Sequence, residues 1–394
     1  MQLNHGLHLA YCTNVHPAED WPETLRSLER WTLAVKSRVC PNSPYAIGLR
    51  LSDCASRELA EPQTLLAFQH WLDKHNCYVF TINGFPFGRF HGARVKEQVY
   101  LPDWTDPLRL AYTNRLFDLL SQLVPPGIEG SVSTLPGSFK EFISTPEQLA
   151  IIRSNLWRCV QQIAKTSEQT GRKLHLGLEP EPLGLFENSF ETAEFFDRLR
   201  EDHPGDARLD AHLGVNYDTC HFAVEFEEPK TAISRLLNHH IRLSKIHLSN
   251  ALALRPEPST LNQLQRFSED VYLHQVIARS ADGSLTRFKD LDLALANASN
   301  GSLADEWRVH FHVPLQSQLG NGLNTTASHI LGLCDLLQNQ PHLCSHLEME
   351  TYTWAVLPEP LKSREVTDQL VAEYDWTLRQ LTERDLARPN PKSK

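Results

Sequence analysis

A parallel (β/α)8 barrel of the TIM type, with an insertion between its seventh and eighth strands, is the fold class that three observations predict. Short apolar or alternating runs rich in β-formers recur eight times along the 394 residues. Stretches that read as amphipathic helices lie between them. Acidic and histidine side chains gather where the later runs end, the place where such a barrel keeps its reactive groups. A doubly wound open sheet is the competitor. It would carry a Gly-rich phosphate turn after its first strand, and "TNVHPAEDW" is no such turn.

The eight runs are "LHLAYCTN" (7–14), "YAIGLRLS" (45–52), "CYVFTING" (77–84), "IEGSVSTL" (128–135), "LHLGLEPE" (174–181), "HLGVNYDT" (212–219), "LSKIHLSN" (243–250) and "HLEMETYT" (346–353). Between them, "WPETLRSLERWTLAVKSRV", "EPQTLLAFQHWLDKHN" and "PEQLAIIRSNLWRCVQQIAKTSEQTG" read as helices, the last stopping at Gly171. The rhythm breaks once. The span between the seventh and eighth runs is too long for a normal βα unit. Within it "VYLHQVIARSADGSLTRFKDL" reads as a hairpin turning at "ADGS", and "EWRVHFHVPL" as a further strand. Residues 1–394 are therefore read as one barrel domain, with 251–306 an insertion over the C-terminal catalytic face. The tail after Glu383 is polar and reads as frayed.

Composition narrows the function. The chain is 41% hydrophobic and 22% charged, which allows a large core, and its net charge of -10 argues against a nucleic-acid or anionic-membrane partner. No apolar run is long enough to span a bilayer. The eight cysteines form no CxxC pair, and the N-terminal residues lack a signal-peptide pattern. The expectation is a soluble protein of the cytoplasm.

In "KLHLGLEPEP", Leu174, Leu176 and Leu178 alternate, and Glu179 and Glu181 follow at the strand end. The sixth run ends in Asp218 with His221 just after it, the seventh carries His247, and the eighth carries Glu348 and Glu350. Carboxylates converging on one barrel mouth would repel one another without a cation. A divalent ion (Mn²⁺, Mg²⁺, Co²⁺, Fe²⁺ or Zn²⁺) neutralises them and accepts oxygen and imidazole donors of this hardness. Glu350, nearer the strand end, is chosen over Glu348, which would sit deeper beside a cation. His310 and His312 share one face of "HFHVP", and His312 competes with His247 as a ligand. Asn83 in "NGFPFG" suits a substrate-binding loop, and His8 has the parity to face inward from the first strand.

The E-P pair at Glu179-Pro180, the D-x-x-H pair at Asp218 and His221, His247 and Glu350 together resemble the xylose-isomerase-like TIM barrels. That resemblance implies one metal held by Glu179, Asp218, His247 and Glu350, with His221 on a substrate oxygen. It also implies that Glu179 and Glu350 move a proton as the catalytic pair. In such relatives an arginine follows the seventh-strand histidine, and the nearest here is Arg255. They often pair through the active-site face, so a homodimer is the expected assembly. Segments such as "HGLHLAYCTNVHPAEDW", "FTINGFPFGRFHG", "YDTCHFAVEFE" and "LEMETYTW" resemble, over nearly the whole chain, the metabolite traffic protein EboE family. That resemblance implies a place in a gene cluster associated with export or precursor trafficking of secondary metabolites, which names a pathway and leaves the chemistry to the site.

Three functions follow as expectations. The first is a metal-dependent isomerase or epimerase of a sugar or cyclitol, with Glu181, His221, His310, His312, Asn83, Arg255 and His8 as substrate contacts. The second is a non-catalytic binder or carrier of a metabolite. The third, a phosphodiesterase like endonuclease IV, would need a basic DNA face that the charge balance does not offer.

Overall fold

The computed structural model describes residues 1–388 apart from 93, 299–303, 360 and 363–364. Seven parallel strands come first: β1 (His8–Tyr11), β2 (Tyr45–Arg50), β3 (Cys77–Asn83), β4 (Gly130–Thr134), β5 (Leu174–Leu178), β6 (Leu213–Asp218) and β7 (Arg242–Leu248). Four short strands, β8 (Leu252–Leu254), β9 (Val276–Arg279), β10 (Leu285–Phe288) and β11 (Glu306–Val309), follow before β12 (Leu323–Thr325) and β13 (His346–Met349). Strand β13 lies between β7 and β1 in one eight-stranded parallel sheet. A parallel bridge between Cys12 and Gly48 brings its two edges, β1 and β2, together. The result is a nearly closed TIM barrel, the fold class expected from the alternation.

Each barrel strand is buried along almost its whole length, because helices cover its outer face and side chains fill its inner one. In β5, Leu174, Leu176 and Leu178 join the large core, while Gly177 faces Asn216 and Ser244 across the interior. That parity places Glu179 inward at the strand's end. The helix Pro146–Thr170 starts on a Thr145–Gln148 capping box and stops at Gly171, whose φ of 67° is the left-handed turn that glycine accepts. Helical sequence over 21–39 is interrupted by a π-turn at Leu28–Thr32.

The region between β7 and β13 builds its own antiparallel sheet, in the order β10-β9-β11-β8-β12. Its hairpin turns between Ser280 and Ser284, at the "ADGS" expected. "EWRVHFHVPL" is a strand only over its first four residues. After Val309 the chain leaves the ladder, and His310 N–H bonds Gln275 O instead. A separate apolar cluster including Leu252, Trp307, Val309 and Phe311 packs this sheet. It docks on the barrel's loops through Val313 N–H to Asn250 O, Gln275 Nε2 to Pro182 O and Val95 N–H to Val271 O. The tail does not begin frayed: Leu386 and Ala387 are buried, and Leu386 O accepts from Asn4 N–H. Residues 389–394 lie outside the described ones.

Candidate metal centre and pocket

The interior of the barrel is polar from floor to mouth, so its side chains must satisfy one another. At the floor, His8 Nδ1 meets Tyr78 Oη at 2.7 Å, and His346 Nδ1 meets Ser131 Oγ at 2.7 Å. His8 therefore faces inward as its parity suggested, but at the opposite end from the strand ends. Midway up, Lys245 Nζ donates to Glu348 Oε2 at 2.7 Å and to Ser133 Oγ at 2.9 Å. Both charges are fully buried. Burial opposes ionisation of Glu348, but Lys245 and His247 hold its carboxyl down at about 2.

Above that pair stands His247. Its Nε2 bonds Glu348 Oε2 at 2.7 Å, which fixes the ring. Its Nδ1 then faces three carboxylates, Glu179 Oε1 at 3.0 Å, Glu350 Oε2 at 3.2 Å and Asp218 Oδ2 at 3.5 Å. Burial works against a charged imidazole, yet Glu350 and Glu179 outweigh it and hold His247 well above its ordinary value. The four groups offer ligand atoms all within 4.8 Å of one another, and Asp218 Oδ2 is buried without a hydrogen bond. A divalent ion taking the place of the Nδ1 proton would meet three carboxylates and one imidazole backed by Glu348, the anchoring that metal-binding histidines usually have. The residues fit such an ion.

Local sequence explains the aim of each ligand. Asp218 caps the short helix Thr219–Val224, accepting from Cys220 and His221 N–H, and Ser249 Oγ donates to the same Oδ1 at 2.5 Å. Its Oδ2 is thereby left toward His247. Glu350 Oε1 accepts from Asn14 Nδ2 at 2.8 Å and from Asn83 Nδ2 at 3.1 Å, which turns Oε2 to the same point. Lys245 and Asn14 were missed in the sequence. Lys245 shares the strand parity of His247 and was open to the same reasoning. Asn14 lies in a turn after β1 that carries no signal of its own.

Over this centre lies a pocket. Asn14, Asn83, Glu179, Glu181, His221 and Glu350 form its polar part. Phe85, Phe90, Tyr100, Tyr272 and Tyr352 give it an aromatic wall, and Gln275 and His310 reach it from the second sheet's region. His312 sits behind, with Nδ1 on Glu350 O at 3.0 Å. Burial and then Glu179 push the Glu181 carboxyl well above the carboxylate range. Arg255 is not brought here: its side chain is 73% exposed and faces Glu257.

The fold is similar to those of solved sugar epimerases. The structure of L-ribulose 3-epimerase matches with a TM-score of 0.51 and 11% identity, over 96% of this chain and 95% of that one. D-psicose 3-epimerase with D-tagatose, from Clostridium cellulolyticum H10, matches with a TM-score of 0.52 and 10% identity, over 95% and 99%. No family model and no curated protein matches the chain. At these identities the likeness is one of fold.

Proposed function

We propose that the chain is a divalent-metal-dependent isomerase or epimerase of a small polyhydroxy compound, a sugar or cyclitol. The observation that carries the reading is the set of three carboxylates around His247 Nδ1, opening on a pocket that Glu179 and Glu350 themselves line. Both glutamates are at least nine-tenths buried, so either reaches a bound substrate without intervening bulk water. A bound metal would polarise a carbonyl and orient the hydroxyl next to it.

One of Glu179 and Glu350 takes the proton from the carbon beside that carbonyl, and the other, protonated at the start of the turnover, gives its own proton to the opposite face of the enediolate; solvent restores both to their starting states. His221 and Asn83 line the same pocket and contact substrate oxygens; His221 presents Nε2, since its Nδ1 meets Pro180 O at 3.0 Å. The two sugar epimerases that share the fold support the substrate class. By the resemblance to the EboE family, the compound belongs to a secondary-metabolite pathway.

The test is metal content together with turnover on a panel of ketoses and cyclitols in deuterated water. Wild type is expected to hold divalent metal and to incorporate deuterium at one carbon. Glu179→Gln is expected to lose both. Metal binding with no exchange or product across the panel would favour the metabolite-binder reading, for which the aromatic wall is the supporting feature.

A further inference from the structure

We propose that the compound this pocket takes carries an ammonium group, as an amino sugar or aminocyclitol does, and that Glu181 and the aromatic wall receive that group. The inference deepens the polyhydroxy reading above and rests on it. Glu181 lies two residues beyond the strand-end Glu179, lines the pocket and is 6% exposed. Its Oε1 is buried with no hydrogen-bond partner. A carboxylate oxygen held out of water without a donor is costly, so a bound compound that brings a donor gains from it.

Charge decides which kind of donor. Four carboxylates gather at the inner end of the pocket, Glu179, Glu181, Asp218 and Glu350. A divalent ion at the strand-end centre would offset two of their charges, and the proton on one of the Glu179–Glu350 pair a third. Glu348, deeper, is already matched by Lys245. Lys96 lines the pocket, but its ammonium is spent on Asp290 at 2.5 Å and on Glu269 O at 3.0 Å. Among the described residues no arginine lines the pocket. One negative charge therefore remains, and an ammonium group balances it through a charge-assisted hydrogen bond to Glu181. The wall suits the same guest. Phe90, Tyr272 and Tyr352 have centroids 5.2, 5.3 and 5.1 Å apart and planes inclined by 49°, 55° and 76°, so three rings meet as a corner on the pocket. Ring faces attract a compact cation. Burial, then Glu350, and also Glu181 push the Tyr352 hydroxyl up, which puts this corner near the carboxylates. Tyr272 Oη is turned to His91 Nδ1 at 2.8 Å, so it is no donor for Glu181. A neutral hydroxyl could bond Glu181 but would leave the charge and gain nothing from the rings.

The test is isothermal titration of the metal-reconstituted protein with matched pairs: D-glucosamine and D-glucose, 1-amino-1-deoxy-D-fructose and D-fructose, scyllo-inosamine and scyllo-inositol. In at least one pair the amine is expected to bind roughly tenfold tighter or better, the scale of a hydrogen bond to a charged group. N-acetylation, which removes the charge, should abolish the gain. Glu181→Gln should bring the ratio close to one, with metal content and melting temperature near wild type as the check on folding. No advantage for any amine would overturn the proposal and assign the counter-charge to a protonated imidazole, His221 or His310. An advantage kept in Glu181→Gln would overturn it too. Metal-dependent deuterium exchange on a neutral ketose without amine preference would sink this inference and leave the isomerase reading standing. A Glu181-dependent amine preference in a protein that holds no metal and exchanges no deuterium would do the reverse.

Discussion

Gly48 shows how closely the barrel interior is filled around the candidate centre. A Cβ built on it would lie 1.9 Å from Glu348 Oε1 and 2.7 Å from the backbone oxygen of Tyr11. The second contact cannot be relieved by a rotamer change. The first would push on the carboxylate that holds both Lys245 and His247. Glycine is needed here for space rather than for an unusual backbone angle. Gly48→Ala should therefore destabilise the fold by about 1–3 kcal/mol, the usual cost of overpacking, and weaken metal retention through His247. Gly88, with nothing within 4 Å of its Cβ position, is the control, and Gly88→Ala should leave both properties near wild type. Melting temperatures and metal content of the two variants measure this. Equal behaviour would mean that the interior yields more easily than its contacts indicate.

Among the elements, the β9–β10 hairpin is tied to the barrel loops by charge. Arg287 reaches Glu187 Oε2 at 3.1 Å, and its other arm bonds Glu225. Both carboxylates are almost fully buried, and Lys140 also pairs with Glu187. Burial and then Glu187 push the Glu225 carboxyl up, and Arg287 opposes that shift. Arg287→Met should cost about 1–3 kcal/mol, less than a fully buried pair because the arginine is partly exposed. Hydrogen exchange should quicken over 276–288 and stay slow in β5 and β6; unchanged exchange in the hairpin would remove this anchor from the account. This element was also the boundary of legibility. The eight barrel strands stood out because burial on both faces demands continuous apolar or alternating runs. The hairpin stood out through its turn residues. Strands β8 and β12, three residues each, are too short to show a period of two. The convergence of Glu179, Asp218, His247 and Glu350 followed from strand-end position and parity. The aromatic wall did not, since Tyr272 and Tyr352 meet only after the second sheet has docked. Arg255 illustrates the opposite error, where closeness in sequence to His247 did not bring it to the pocket.

For the molecule as a whole, the last helix, Val366–Thr382, closes the chain against the barrel through a buried carboxyl. Glu373 Oε1 accepts from Thr351 Oγ1 at 2.6 Å and from Leu315 N–H at 3.2 Å, while Oε2 is buried without a partner. One side chain thus joins the final helix, the segment after β13 and the segment leaving the second sheet. Burial raises its pKa from 4.5 to about 7, against the lowering effect of Thr351, Leu315 and the nearby Gln369 amide. Because the folded value lies above the unfolded one, the native state holds the extra proton between them. The contribution to stability is complete below the unfolded pKa, declines from pH 4.5 upward, and is lost once pH passes 7. A shift of that size amounts to about 3 kcal/mol. Glu373→Gln keeps the acceptor for Thr351 and Leu315 but cannot ionise. Its unfolding free energy, measured by urea titration from pH 4 to 9, should therefore gain on wild type as pH rises. The gain should centre between pH 4.5 and 7 and level off above that, whatever constant offset the unpartnered amide introduces. Parallel curves for the two proteins would show that Glu373 is ionised in the native state near its ordinary pKa. The tie between the last helix and the barrel would then be a charged one.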